Sequence, residues 1–265
     1  MESPRLEAEV LLAHVLGSDR IRLILDADRP LEAAELSKYR EAIKRRRAGE
    51  PVAYLVGMRE FYGLELRVDA RVLIPRPDTE VLVEVALEVT RSRNLGGRAL
   101  DLCTGSGCVA IAFAKNRPTW QVTGTDLSAD AVDVARANAL RLGAVWGVRF
   151  AQGDLFDAVG PEERFELITA NPPYIPASDI PGLQPDIRDF EPHLALDGGS
   201  DGLRLLPAIA RGAVERLTPG GTLAVEIGAG QSDDVAALFE RTGLIDVQRH
   251  RDLGGHERVV SAKRP

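Results

Sequence analysis

Between residues 4 and 48 the apolar positions recur at helical spacing. Leu6, Val10 and Ala13, joined by Leu12, Val15 and Leu16, make one stripe with a period of about 3.6 residues. Ser3 is placed to cap this helix, and Pro4 suits its first position. Gly17 stops it. Ser18-Asp19 can cap a short second helix holding Ile21, Ile24 and Leu25, and a third runs from Leu31 to Arg47 with Gly49 as its stop. Three such pieces make a small bundle, not a deep core. Over 51–75 the period changes. "YLVGMREFYGLELRVDARVLIP" alternates around Gly63, which predicts a two-stranded hairpin connecting the helical piece to the rest. Arg76-Pro77-Asp78-Thr79 then opens a helix to about Thr90, with Asp78 or Thr79 as its cap.

From Gly97 onward strands and helices alternate. Strand patterns fall at 99–102, 121–125, 148–151, 165–170 and 222–227, and helical patterns at 107–116, 129–142, near 203–217 and at 233–242. Residues 245–249 and 258–262 read as a closing antiparallel pair joined through Gly254-Gly255. This order predicts an α/β fold, a parallel sheet with helices on both faces. The chain has no internal repeat and no low-complexity tract.

Composition narrows the picture. The 265 residues suit one large α/β domain with a small accessory one. With 45% hydrophobic and 28% charged residues, the chain reads as an ordinary soluble protein. No stretch approaches the ~20 apolar residues of a membrane span, and "MESPRLEAEV" lacks the apolar core of a secretory signal. The two cysteines, Cys103 and Cys108, share one short segment, which argues against a disulfide framework or a zinc site. A reducing cytoplasm fits best. They read as small residues packing a crowded turn. The histidines at 14, 193, 250 and 256 are scattered and form no ligand pattern. Net charge is −7, without the basic footprint of a protein that grips long nucleic acid. Residues 1–60 are neutral, with 11 basic and 11 acidic side chains. The one basic run, Lys44-Arg45-Arg46-Arg47, reads as a solvated helix end, with contact to a partner's phosphates as the alternative.

In "ALDLCTGSGCVAIAFA", Asp101, Cys103, Thr104, Gly105, Ser106 and Gly107 lie between a strand and a helix. Glycines there let the backbone approach a ligand closely. No Gly-Lys-Ser/Thr follows, so this is not a Walker loop. Taken alone it fits a nicotinamide enzyme and a nucleoside-binding methyltransferase equally. Asp126 ends the next strand, about 20 residues on, where an acid can grip ribose hydroxyls or cap the helix at Ser128. Asp154 and Leu155, after the third strand, can hold an adenine or simply form a turn.

"LITANPPYIP" places Asn171 at the carboxyl end of the fourth strand, in the crevice of a doubly wound sheet. Asn171 and Pro172 each precede a proline and are restrained to extended backbone. The Asn171 side-chain oxygen and the Pro172 carbonyl can take the two N–H donors of a primary amide or exocyclic amine, while Tyr174 offers a flat face. An amide nitrogen is a poor nucleophile. Holding it in a near-attack pose can supply roughly 7–11 kcal/mol of a barrier.

In this order, "DLCTGSG", "TDLSADAV", "GDLF" and "ANPPYI" resemble a class I S-adenosylmethionine-dependent methyltransferase that modifies amino nitrogens. Asn-Pro-Pro-Tyr is shared with adenine-N6 DNA methyltransferases, so the flanks select. "GEPVAYLVGMREFYGLELRVDARVLIPRPDTE", "EPHLALDGGSDGL", "TPGGTLAVEIGAGQ" and "DLGGHERVV" resemble the HemK/PrmC family from about Ser3 to Val260. That resemblance implies N5-methylation of the glutamine in the Gly-Gly-Gln motif of class 1 peptide-chain release factors, in support of translation termination. It implies a Rossmann-like, mostly parallel seven-stranded sheet. It also implies a helical docking domain at 1–50, a hairpin connector at 51–75 and a catalytic domain at 76–265. Carried onto this chain, Asp101, Cys103, Thr104, Gly105, Ser106, Gly107, Asp126, Leu127, Asp154 and Leu155, with Asn171, would hold the cofactor. Asn171, Pro172, Pro173 and Tyr174 would hold the glutamine amide, with Asn171, Pro172 and Tyr174 as the catalytic group. Arg76 and Asp78 would lie near the pocket mouth, Asp78 with a helix cap as its alternative. Cys103 departs from the Gly that many members carry, and members have a further helix ahead of "SPRLEAEVLLAHVLG", so a short bundle or a displaced start is expected.

A nucleic-acid base methyltransferase of the adenine-N6 type is the competing reading. It would need a basic groove and a target-recognition domain to flip its base. A nicotinamide oxidoreductase would leave Asn171–Tyr174 without a role, and a non-catalytic docking module would not need them.

Overall fold

The computed structural model describes residues 4–93 and 95–265. Ser3, expected to cap the first helix, lies outside the described residues. Helices α1 (Pro4–Leu16), α2 (Arg20–Leu25) and α3 (Ala33–Arg47) follow the apolar stripes. Asp19 caps α2, its carboxylate accepting the Arg22 N–H at 2.8 Å. The basic run at the end of α3 is more than a solvated tip. Arg46 donates twice to Glu7 of α1, at 2.8 and 3.0 Å, and Arg45 donates to Glu50 at 2.7 Å.

The connector departs from the expected hairpin. Residues Val52–Val56 form a one-turn helix, α4, between Pro51 and a left-handed Gly57. Its five apolar residues are too few to show a period, so the flanking Pro and Gly decide the element. Tyr54 is held there by donating its phenol to the Val72 carbonyl at 2.6 Å. Only β1 (Met58–Phe61) and β2 (Leu64–Arg67) pair, antiparallel, around Tyr62 and Gly63. Both turn residues have positive φ (51° and 73°), which gives the twist that a two-residue hairpin requires. A short 3₁₀ turn at Pro77–Thr79 leads into α5 (Glu80–Val89). Neither Asp78 nor Thr79 caps it through its side chain. Asp78 pairs instead with Arg258 at 2.8 Å.

The remaining elements are β3 (Arg98–Leu102), α6 (Cys108–Asn116), β4 (Gln121–Asp126), α7 (Ala129–Arg141), β5 (Val148–Gln152), β6 (Phe165–Ala170), the one-turn α8 (Pro185–Arg188), α9 (Leu206–Arg216), β7 (Leu217–Glu226), α10 (Ser232–Arg241), β8 (Ile245–Arg251) and β9 (Glu257–Lys263). They build a seven-stranded sheet in the order β5-β4-β3-β6-β7-β9-β8. The first five strands of that order run parallel, and β9 lies antiparallel to both neighbours. The central strands are apolar on both faces because helices cover both. On one side α5, α6 and α7 pack a layer that includes Phe113 edge-on to Trp120. On the other, α9 and α10 bury Leu206, Ile209, Val235 and Phe239. From β3 the chain moves outward through β4 and β5, then returns to β6 on the opposite side. The carboxyl ends of β3 and β6 therefore flank the point where strand order reverses, which opens a crevice there. Among the described residues no helix is long and apolar enough to cross a membrane.

One buried side chain ties the hairpin to this crevice. Asn138 of α7 is fully buried. Its Oδ1 accepts the Arg67 N–H at 2.7 Å, and its Nδ2 donates to the carbonyls of Arg67 (3.0 Å) and Ser106 (2.9 Å). Truncation leaves one buried and two partly buried backbone groups without this partner, a buried one alone costing about 1–3 kcal/mol. Asn138→Ala is therefore expected to lose about 3 kcal/mol or more of stability, measured by urea unfolding. A loss within about 0.5 kcal/mol would show that these groups find other partners.

Candidate active site

The loop after β3 alternates its backbone sign. Cys103, Gly105 and Gly107 all have positive φ (55°, 55° and 80°). For Cys103 this is a strained conformation of order 1–3 kcal/mol. A Cβ built on Gly105 would meet nothing within 4 Å, so its backbone borders open space. The loop is fixed from beneath by Asp101, only 3% exposed, whose two carboxylate oxygens accept from the hydroxyls of Thr104 (2.6 Å) and Thr169 (2.7 Å). Burial pushes the Asp101 carboxyl up to about 6, against the pull of those two donors. Burial also pushes both thiols up, Cys108 to about 12, so neither is a ready thiolate.

Asp126 ends β4. One of its oxygens accepts the Gly105 N–H and the other the Ser128 N–H, both at 2.9 Å. Ser128, not Asp126, caps α7, accepting the Ala131 N–H at 3.2 Å. The Asp126 carboxylate thus positions the loop and still has lone pairs to offer. Burial raises its carboxyl above the usual range, opposed by backbone hydrogen bonds. Leu155, also at positive φ (48°), is held by the Thr125 hydroxyl donating to its carbonyl at 3.2 Å.

These residues line one cavity of about 500 Å³. Arg76, Asp101, Cys103, Thr104, Gly105, Ser106, Asp126, Leu127, Asp154, Leu155, Asn171 and Pro173 all border it. Three expected site residues do not. Gly107 sits below the loop, donating its N–H to the Thr104 carbonyl at 2.8 Å. Pro172 is buried behind the wall. Tyr174 does not present its ring to the cavity. Its phenol faces the carboxylate of Glu226, and its carbonyl accepts from Gln231 Nε2 at 3.0 Å. The reason is packing: the half-buried ring lies against Gly228, just beyond the end of β7, which sets the phenol beside Glu226.

Asn171 has a defined orientation. Its Nδ2 donates to Thr79 Oγ1 at 3.2 Å, which leaves Oδ1 as an acceptor at the cavity wall. Arg76 at the mouth pairs with Glu191 at 2.5 Å, and Glu191 also accepts the Ile74 N–H at 3.1 Å. Glu191 is buried, which raises its carboxyl despite the Arg76 partner. The sequence offers Thr79 only as a helix cap and gives Glu191 and Glu226 no place in the site. Only Glu226 carries a local signal, a charged residue inside the apolar run from Leu223 to Ile227. Among the described residues no group of three or more His, Cys, Asp or Glu could hold a metal ion.

Sheet order and site position define the class of protein, a methyltransferase fold. A methyltransferase from Pyrococcus furiosus matches with a TM-score of 0.55 over 86% of this chain and 98% of that one, at 18% identity. The Thermus thermophilus 16S rRNA N2 G1207 methyltransferase, solved with AdoMet and guanosine, matches with a TM-score of 0.55 over 78% of this chain and 50% of that one, at 18% identity. At these identities the likeness is one of fold. Sequence goes further. A family described as the PrmC N-terminal domain matches residues 1–57, and the methyltransferase small domain matches residues 77–181. The release factor glutamine methyltransferase of Geobacter sulfurreducens is 46% identical over 263 residues, 99% of this chain and 90% of the relative. That of Bordetella pertussis is 47% identical over 256 residues, 97% and 93% of the two chains. The chain belongs to the release factor glutamine methyltransferase family.

Burial holds the Glu226 carboxyl up at about 7, against an ordinary value of about 4.3. Its contribution to stability is full below the unfolded value and is lost as pH rises through about 7. Glu226→Gln carries no charge at any pH. Its stability relative to the wild-type chain is expected to rise between about pH 5 and pH 8, by up to about 3 kcal/mol. Denaturant midpoints at the two pH values measure this, and a difference that stays constant would mean an ordinarily solvated carboxylate.

Proposed function

We propose that this protein transfers a methyl group from S-adenosylmethionine to the side-chain amide nitrogen of the glutamine in the Gly-Gly-Gln motif of class 1 peptide-chain release factors. The observation that carries the reading is the orientation of Asn171. Its amide nitrogen is committed to Thr79, so its oxygen is the group offered to a substrate. It shares one cavity with Asp126 and the Gly105 backbone.

The residues suit the cofactor. The Asp126 carboxylate has free lone pairs for a ribose diol, Gly105 leaves open space at the turn, and Leu127 and Leu155 offer apolar cover beside Asp154. When bound, S-adenosylmethionine supplies a methyl group activated by its sulfonium. The rest is positioning by the chain. Asn171 Oδ1 accepts one N–H of the glutamine amide, and the Pro172 carbonyl, set behind the wall, takes the other as the amide seats against it. Its nitrogen lone pair is thereby turned toward the cofactor side of the cavity. Both acceptors also favour the positive charge that grows on nitrogen as its new bond forms. Arg76, held by Glu191, stands at the mouth. We take residues 1–50 as the docking domain for the release factor, 51–75 as a connector and 76–265 as the catalytic domain.

Mass spectrometry of a purified class 1 release factor, incubated with this protein and S-adenosylmethionine, tests the reading. One added methyl on the Gly-Gly-Gln glutamine is expected. Asn171→Ala should lower the rate by about a hundredfold or more, the scale for removing one aimed hydrogen-bonding group. An unmodified release factor beside retained S-adenosylmethionine binding would leave the fold assignment standing and remove the substrate.

A further inference from the structure

Glu226 stands at the end of β7, where its strand neighbours Val225 and Ile227 are buried and apolar. The register pairs Ala170 with Val225, so the next residues, Asn171 and Glu226, leave the two strand ends side by side. Glu226 is 1% exposed, and its Oε2 has no hydrogen-bond partner. Holding β7 in the sheet does not call for a carboxylate. Two hydroxyls face it, those of Thr79 and Tyr174. Thr79 is also 1% exposed, and its Oγ1 is the atom that accepts from Asn171 Nδ2. Asn171, Thr79 and Glu226 therefore stand in series behind the cavity wall, with a hydrogen bond between the first two and the Glu226 carboxylate facing the Thr79 hydroxyl.

We propose that Glu226 is a positioning residue for amide methylation, acting through Thr79 to hold the Asn171 side chain with its oxygen toward the substrate. This rests on the glutamine-methylation reading above. A threonine hydroxyl has one proton and two acceptor sites. When the carboxylate behind it takes that proton, the acceptor sites are left for Asn171 Nδ2. The Asn171 amide then has one favourable orientation. Without that acceptor the hydroxyl can turn its proton toward Asn171, and the amide can flip. A flipped amide presents N–H donors to the N–H donors of the glutamine, and the claw no longer grips. Hydrogen bonds in series also polarise one another. The carboxylate at the far end thus strengthens Asn171 Oδ1 as an acceptor while positive charge grows on the substrate nitrogen. Hydrogen bonds of this kind are often long or poorly aligned before substrate binds.

Ionisation of Glu226 controls the arrangement. The groups facing it are Thr79 and Tyr174, with Asp78 raising its carboxyl and Arg258 lowering it. Arg258 is itself paired with Asp78 and with Asp252, both at 2.8 Å. Burial pushes the carboxyl to about 7, so the working form is gained across neutral pH.

The test measures kcat on a purified release factor, and S-adenosylmethionine affinity by calorimetry, for Glu226→Gln, Thr79→Val, Thr79→Ser and the double variant Thr79→Val/Glu226→Gln. Glutamine keeps an oxygen for Thr79 but loses the charge, so kcat should fall about tenfold. Its rate should also lose the rise with pH that the wild-type enzyme shows near neutrality. Thr79→Val breaks the path and should lower kcat about a hundredfold, while Thr79→Ser stays within about threefold of the wild type. The double variant should be no slower than Thr79→Val alone, because both act on one path. Cofactor affinity should stay within about threefold throughout. Wild-type kcat in Glu226→Gln, additive losses, or cofactor binding that falls in step with kcat would each reduce Glu226 to packing and overturn the proposal. A wild-type enzyme that binds cofactor but leaves the release factor unmodified would remove the substrate reading and the proposal together. An active wild type with an indifferent Glu226→Gln removes the proposal alone.

Discussion

The carboxyl of Asp101 joins two loops that come from different strands. Thr104, in the glycine loop after β3, donates to one oxygen, and Thr169, two residues before Asn171 on β6, donates to the other. Asp101 and Thr169 are register partners, so this contact exists only because β3 and β6 are neighbours in the sheet. They are neighbours because strand order reverses between them. The glycine loop and the Asn-Pro-Pro-Tyr segment therefore face each other across a fixed distance set by one buried side chain. Burying a carboxyl is unfavourable, and two hydroxyl donors offset much of that penalty.

The same device recurs around the cavity. Glu191 holds Arg76 and the Ile74 N–H, Asn138 holds the hairpin and the Ser106 carbonyl, and Glu226 lies behind Thr79 and Tyr174. Glu191 and Asn138 each fix backbone or side chain of another element, and the role proposed for Glu226 is of the same kind. The walls carry the complementary strain. Cys103 and Leu155 both keep left-handed backbone where the chain borders the cavity. Strained residues of this kind persist only where the surroundings over-determine them.

The strands and most helices from Gly97 onward were legible because helices and half-buried strands leave different periods in the sequence. Strand β6 matches its apolar run from Phe165 to Ala170 residue for residue. Failure came where a segment was too short to show a period. Val52–Val56 reads as strand by composition and folds as one helical turn between Pro51 and Gly57. Thr79 does hold the N-cap position of α5, but neither it nor Asp78 caps through its side chain, for a different reason. Both residues are taken by tertiary partners, Arg258 and Asn171, and a side chain with a distant partner is not free to cap its own helix.

The glycine loop, Asp126 and Asn171 could be read directly because their chemistry is local. Glycine sets the turn, an acid ends the next strand, and prolines stiffen the residue ahead of them. From sequence alone followed the alternation of elements, the order of the motifs and most of the residues that line the cavity, Gly107, Pro172 and Tyr174 excepted. Only the tertiary structure decided that Tyr174 turns from the cavity toward Glu226, that Thr79 orients Asn171, and that Glu191 restrains Arg76. Periodicity records whether a side chain is buried, a property each residue shares with its near neighbours. The partner of a buried polar group is chosen by strand order and packing, which bring together residues far apart in the chain.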